Sequence, residues 1–196
     1  MITLYNDKTE CCGCGACSSA CPKDAITMQE DEYGFIYPEI DSKKCVECRL
    51  CISSCHYKSA DDLHTPIKSL AAVNKDDTLL KNSASGGMFS AIAEAFLNEG
   101  GCVCGAAMDF KDDVADVRHI MIHSTGELYR LQKSKYVQSS TDKAYKELQT
   151  LLKNGEEVLF SGTPCQVEAA KSIAKRTGGK LHTIDIICHG VPSRQL

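Results

Sequence analysis

The sequence predicts an α+β chain: a small cysteine-rich N-terminal domain, residues 1–62, and then an α/β domain, residues 63–196, expected to be C-terminally truncated. Three observations predict it. Two four-cysteine runs stand near the start, and a segment of alternating apolar and polar residues lies between them. Strand, helix and strand patterns then follow one another over residues 156–188, the mark of a parallel βαβ unit. With 196 residues and 43% hydrophobic content, the chain can build one medium core and a smaller one.

The cysteine runs come first in the chain. The start, MITLYNDKTE, is short, polar and acidic, with no secretory pattern, so a reducing, cytoplasmic setting is expected for the thirteen cysteines. Reduced cysteines at fixed short spacings read as metal ligands rather than disulfides. The first run is Cys11-x2-Cys14-x2-Cys17-x3-Cys21-Pro22, and the same spacing returns 34 residues later as Cys45, Cys48, Cys51 and Cys55. Zinc sites usually use two separated pairs, whereas this run is the pattern of four-iron clusters, whose fourth cysteine reaches the other cluster. Two [4Fe-4S] clusters are therefore expected. One takes Cys11, Cys14, Cys17 and Cys55; the other takes Cys45, Cys48, Cys51 and Cys21. Cys12 is out of register and reads as an incidental loop thiol. His56 stands where the first run has its proline, which alters the chain exit more than the ligation.

Between the runs, AITMQEDEYGFIYPEID alternates through Ile26 and Met28, turns near Glu32 to Gly34, and alternates again through Phe35 and Tyr37, as a β-hairpin does. Over about residues 8–60 the chain resembles the dicluster bacterial ferredoxins, which implies a ferredoxin-like domain passing single electrons. The polar stretch HYKSADDLHTPIKSL reads as a linker.

In the second domain, SLAAVNK (69–75) reads as a strand and SASGGMFSAIAEAFLNEGG (83–101) as a helix capped by Ser85 and stopped by Gly100-Gly101. CVCGAAMDF and VADVRHIMIH read as strands, TDKAYKELQTLLKNG as a helix ending at Gly155, EEVLFSG as a strand, TPCQVEAAKSIAKRTGG as a helix and KLHTIDIIC as a strand. Two turns could carry chemistry. Ser85, Gly86 and Gly87 would leave bare N–H groups at a helix start, suited either to a phosphate or to an ordinary cap. SGTPCQ leaves a strand and enters a helix through Thr163, placing Cys165 in the first turn. A lowered pKa is expected there, so that Cys165 reads as a ligand or a reactive thiolate.

The segments SASGGMFSAIAEAFLNEG, KSKYVQSS, VLFSGTPCQVEAAK and DIICHGVPS, in that order, resemble the family of coenzyme F-420 hydrogenase/dehydrogenase beta subunits, in its form with a fused dicluster domain. The resemblance implies an iron–sulfur flavoprotein, with FAD in the α/β domain exchanging electrons with a deazaflavin or another redox partner. By the same resemblance Ser85, Gly86, Gly87 and Lys135 would hold the flavin, and Thr163 and Cys165 would line its pocket. His189 reads either as a proton donor or as a brace for its own loop. Cys102 and Cys104 would share one strand face and, with Cys165 and Cys188, are either core thiols or ligands of a further cluster. Family members continue beyond DIICHGVPSRQL, which is the basis for expecting truncation.

A net charge of −4 and a pI near 5.9 disfavour nucleic acid. The longest apolar tract, GGMFSAIAEAFL, is broken by Glu94 and too short for a membrane span. A docked redox protein or subunit is the expected partner. Beside the oxidoreductase subunit, two readings stay open: a simple electron carrier whose α/β part only docks a partner, and a zinc-stabilised interaction protein.

Overall fold

The structure, a computed structural model, describes residues 2–57, 65–111 and 114–195. The expected domain boundary at 62/63 and the middle of the expected linker lie outside the described residues. The N-terminal module opens with a short 3-10 turn, Lys8–Glu10, and a one-turn helix α1 (Ala16–Ser19). Strands β1 (Ile26–Glu30) and β2 (Ile36–Ile40) then pair antiparallel, with Ile26 opposite Ile40 and Glu30 opposite Ile36. This is the hairpin that the alternation predicted, closed through Gly34 at φ 77°. A second one-turn helix, α2 (Leu50–Ser53), completes the module.

After α3 (Asp77–Lys81) and α4 (Met88–Asn98) come β3 (Cys102–Lys111), β4 (Val114–Ile122), α5 (Asp142–Lys153), β5 (Val158–Gly162), α6 (Pro164–Thr177) and β6 (Leu181–Asp185). The sheet order is β4-β3-β5-β6, with β3–β4 antiparallel and the other two pairs parallel. Period-two alternation decides the layers. Cys102, Cys104, Val158 and Phe160 face α5 and α6, packing with Tyr145, Leu148, Val167 and Ile173. Val103, Ala107 and Leu159 face the other way, onto Ala93 and Leu97 of α4 and onto Leu128 and Leu131. The result is a three-layer α/β/α unit, and α5 and α6 begin and stop where their residues direct. Pro164 opens α6, the Gln166 side chain accepts from the Thr163 N–H at 3.1 Å, and Gly178 at φ 75° ends it.

Two expectations fail. Residues 69–74 form no strand, because the apolar side chains of Leu70 and Val73 stay exposed and the segment has no sheet neighbour. It leans instead on the turn before α4, where the Asn74 N–H donates to the Gly86 carbonyl at 2.7 Å. Ser85 does not cap α4 either. Gly87, at φ 72°, is the cap, and no side chain closes the helix start. Only glycine enters that conformation without strain, and it displaces the serine from the capping position.

The N-terminal module sits on the α5/α6 face. Ala16 of α1 belongs to the same buried cluster as Tyr145 and Phe160, and Cys14 packs against it. The Thr141 hydroxyl donates to the Cys14 carbonyl at 3.0 Å. Gln138 clasps the hairpin: the Ile36 N–H donates to its Oε1 at 2.8 Å, and its Nε2 donates back to the Ile36 carbonyl at 3.5 Å. Both groups are buried, so Gln138→Leu strands them without partners. A stability loss of about 2 kcal/mol is expected, read as a lower denaturant midpoint.

Candidate metal centres

Two cavities open in the N-terminal module. One, with about 330 Å³ of empty space partly open to solvent, is lined by Cys21, Cys45, Cys48 and Cys51, with Pro22, Lys23, Val46 and Arg49 around them. The other, about 430 Å³, is lined by Cys11, Cys14, Cys17 and Cys55, together with Cys12 and His56. Each cavity thus gathers three cysteines of one run and the last cysteine of the other. None of the cysteines is in a disulfide among the described residues. Four thiols around one enclosed space are the donor set a cubane cluster takes, so the residues present fit such a group. Burial pushes the Cys17 thiol up to about 12 and raises Cys11 and Cys51 as well. Thiols held protonated in this way must release protons as they take a metal, which ties cluster loading to pH.

The two runs are not treated alike by their surroundings. Gly13 and Gly15 adopt φ 63° and 79°, and 34 positions on, Glu47 and Arg49 adopt φ 54° and 64°. The same left-handed turns are therefore made once with glycine and once with long side chains, where they cost about 1–2 kcal/mol per residue. Space explains the difference. A Cβ on Gly13 would lie 2.2 Å from the Ile36 carbonyl, and one on Gly15 would lie 2.9 Å from the Thr141 hydroxyl. Glu47 and Arg49 are exposed. The cavity of Cys11, Cys14, Cys17 and Cys55, the inner one, therefore has its loop packed against the α/β unit, whereas the loop of the other, outer cavity is exposed. Setting the two runs side by side at their repeat would have revealed this; a search for cysteines alone misses it.

The structure brings Cys165 to Cys12, which stands on the rim of the inner cavity. Its thiol meets Cys12 side chain to side chain, and the Thr163 hydroxyl lies 3.1 Å from it. The expectation of a lowered pKa is corrected: the hydrogen bond with Cys12, then burial, push the Cys165 thiol up, against the smaller opposing effects of the Thr163 hydroxyl and His56. Cys12 is likewise no isolated loop thiol. It groups with Cys14 and His56, ligand atoms within 4.8 Å of one another, and its Sγ is 3.8 Å from His56 Nε2. His56 has its pKa raised, chiefly by that contact, and its Nδ1 is buried without a hydrogen-bond partner among the described residues.

The remaining candidate residues are scattered. Ser85 is exposed at the α4 turn, and Gly87 is buried. The uncapped start of α4 retains N–H donors of the kind a phosphate takes. The bare side of Gly86, however, is filled by the chain itself: a Cβ there would lie 2.5 Å from the Ala72 carbonyl. The Lys135 ammonium donates to the carbonyls of Gln132 at 2.6 Å, Lys133 at 3.2 Å and Arg130 at 3.3 Å, and burial lowers its pKa to about 8. Lys135 closes its own loop. Cys102 and Cys104 do share a strand face, as expected, but it is the α5/α6 core. Cys104 is fully enclosed, and Cys102 is pushed up to about 11 by burial and by Glu156. Among the described residues no group of metal-ligating atoms joins them to Cys165 or Cys188. His189 is exposed.

One buried imidazole carries no signal in the sequence. His119 lies flat on Phe160, ring centroids 5.2 Å apart, with Nε2 3.1 Å from the Ser161 carbonyl and Nδ1 3.1 Å from the Ser139 hydroxyl. Burial lowers its pKa to about 4. The unfolded chain takes up this proton first as pH falls, so the stabilisation is complete above the ordinary value near 6.5 and erodes between there and about 4. Between pH 7 and pH 5 the loss is expected to be about 2 kcal/mol, and His119→Gln should flatten that slope in chemical denaturation.

Comparison with known proteins sets these features in context. The sequence profile for the 4Fe-4S dicluster domain matches residues 10–59. That for the coenzyme F420 hydrogenase/dehydrogenase beta subunit, N-terminal part, matches residues 69–146. One subunit of the F(420)H(2) dehydrogenase of Methanosarcina mazei is 23% identical over 181 residues, 87% of this chain and 50% of its own length. An uncharacterized ferredoxin of Methanocaldococcus jannaschii is 37% identical over 54 residues, covering 28% of this chain and 69% of the ferredoxin. A chain of the F420-reducing [NiFe] hydrogenase complex from Methanosarcina barkeri superposes with a TM-score of 0.51 at 19% identity, over 63% of this chain and 44% of that one. This last is a likeness of fold. The chain spans half the length of the dehydrogenase polypeptide it matches.

Proposed function

We propose that the chain is a beta subunit of the coenzyme F420 hydrogenase/dehydrogenase kind with a fused 4Fe-4S dicluster domain, and that it relays single electrons inward through two clusters; the matches over residues 10–59 and 69–146 support this. In this reading residues 1–62 are the cluster domain and 63–196 the α/β domain that receives the electrons. Cys45, Cys48, Cys51 and Cys21 hold the outer cluster, open to a redox partner. Cys11, Cys14, Cys17 and Cys55 hold the inner one. The observation that carries the reading is the sorting of these eight cysteines into two cavities, only one of which has its loop packed against the α/β unit.

The chain's own residues serve this relay in definite ways. Gly13 and Gly15 let the inner loop approach Ile36 and Thr141 closely, which brings the loop of the cavity against the start of α5. The crossing cysteines Cys21 and Cys55 each stand in one run and line the cavity of the other, which ties the two centres together. The turn Thr163 to Gln166 presents Cys165 to Cys12 at the rim of the inner cavity and marks the way into the α/β unit. Ser85 and the open start of α4 would take the phosphate end of an FAD. When bound, the flavin supplies exchange between one-electron and two-electron chemistry, with a deazaflavin or another small redox molecule as its counterpart. The partner is a redox protein or subunit, met in a reducing, cytoplasmic compartment. No helix among the described residues is long and apolar enough to cross a membrane.

A second reading, an electron carrier without flavin, is favoured by one observation: Lys135 and Gly86 are engaged by their own chain. Oxygen-free purification with iron, sulfide and flavin analysis separates the readings. About eight irons and eight sulfides per chain with one flavin are expected. Iron without flavin supports the carrier, and zinc without sulfide overturns both.

A further inference from the structure

Cys12 belongs to neither cluster run by spacing, yet it is exposed at the rim of the inner cavity. Opposite it, from the other part of the chain, stands Cys165 in the first turn of α6, in side-chain contact with it. The surroundings of this pair differ from those of Cys104. Cys104 is enclosed in the sheet core. Cys165 instead meets sulfur, the Thr163 hydroxyl at 3.1 Å and, nearby, the imidazole of His56, which is itself 3.8 Å from Cys12. Two thiols far apart in sequence thus touch across the seam between the cluster module and the α/β unit, beside a candidate source of single electrons.

We propose that Cys12 and Cys165 are a redox-active pair that closes to a disulfide at the rim of the inner cavity and would be reopened by electrons that the two clusters supply when bound. The proposal rests on the reading of Cys11, Cys14, Cys17 and Cys55 as the inner cluster's ligands, which leaves Cys12 unligated. Closure begins at the exposed sulfur. Cys12 attacks one sulfur of a small-molecule disulfide, breaking its S–S bond and releasing one thiol. Cys165 then displaces the second small thiol from the mixed disulfide, and its proton leaves with that thiol. Two protein thiols are oxidised and one small disulfide is reduced to two thiols. Reopening takes two electrons and two protons from water; the clusters, when held by their cysteines, would each supply one of the electrons. The closed form ties the cluster module covalently to α6, so the oxidant state of the surroundings is written into the seam that electrons must cross.

The test uses the full chain, purified without oxygen and with its iron content measured, then exposed to oxidised glutathione, alkylated, digested and read by mass spectrometry. The expected result is one peptide pair joined through Cys12 and Cys165, loss of two alkylatable thiols, unchanged iron, and recovery of both thiols with dithionite. Cys165→Ser should stop at a glutathione adduct on Cys12. A persistent adduct on Cys12 in the unaltered chain, or no reaction at Cys12, overturns the pair. Iron in Cys12→Ser and Cys14→Ser separates this from the ligand reading. Iron lost on Cys12→Ser makes Cys12 a ligand and ends the proposal, whereas unchanged iron on Cys14→Ser overturns the ligand assignment whatever the peptides show. Zinc held in a Cys12-dependent way also ends it.

Discussion

Replacing Cys14 with serine is expected to remove about four of about eight irons, the content of one cluster, from protein purified without oxygen. A hydroxyl is a hard, weakly acidic donor, and iron–sulfur clusters select soft thiolate. Cys14 lines the inner cavity with Cys11, Cys17 and Cys55, so the loss should fall on that cluster and spare the outer one. The backbone at this residue is also structural, since its carbonyl accepts from Thr141 at 3.0 Å. With a cluster and its folding energy gone, the N-terminal module should melt before the α/β unit. Cys21→Ser provides the matched case, because Cys21 stands in the first run but lines the outer cavity. It should leave the inner cluster's spectrum intact. Iron analysis with low-temperature electron paramagnetic resonance reads both variants. If Cys21→Ser and Cys14→Ser extinguish the same signal, the crossing of ligands between runs is wrong.

Tyr145→Ala should be the most destabilising single change in the α5/α6 layer, by about 4 kcal/mol. The ring is fully buried, stacks on Phe160 at 5.9 Å, and its hydroxyl donates to the Gln166 carbonyl at 3.1 Å. It also stands 3.6 Å from where a Cβ on Gly15 would be, directly beneath the inner loop. The cavity left behind would loosen α5 from α6 and withdraw the floor on which α1 rests. Tyr145→Phe, which keeps the ring and loses one hydrogen bond, should cost about 1 kcal/mol and retain full iron. Denaturant midpoints and iron content measured together decide this. A Tyr145→Ala protein with unchanged midpoint would show that the seat beneath the inner loop is unimportant.

Much of this was readable in the sequence, and the failures share a cause. The spacing of Cys11 to Cys21 and Cys45 to Cys55 carries the cavity membership, because ligand spacing is a local property. The β1–β2 hairpin, α5, α6 and the parallel β5–β6 pair follow from periodicity and stop signals that are also local. What escaped is long-range. Gln138 carries no motif of its own, and its clasp on Ile36 spans 102 positions. Residues 69–74 have strand composition but find no neighbouring strand, and pairing, not composition, makes a strand. Cys165 has the helix-start position that lowers a thiol pKa, but Cys12 arriving from the far module reverses the sign.

The left-handed turns at Gly13 and Gly15, repeated at Glu47 and Arg49, bear on how such a protein can change over time. A doubled module usually drifts in both copies. Here one copy is boxed in at its backbone and has almost no freedom to vary, while its twin tolerates long charged side chains at the same bends. New electron donors can therefore be accommodated by rewriting the second copy alone, leaving the inward half, and the route it opens, as inherited.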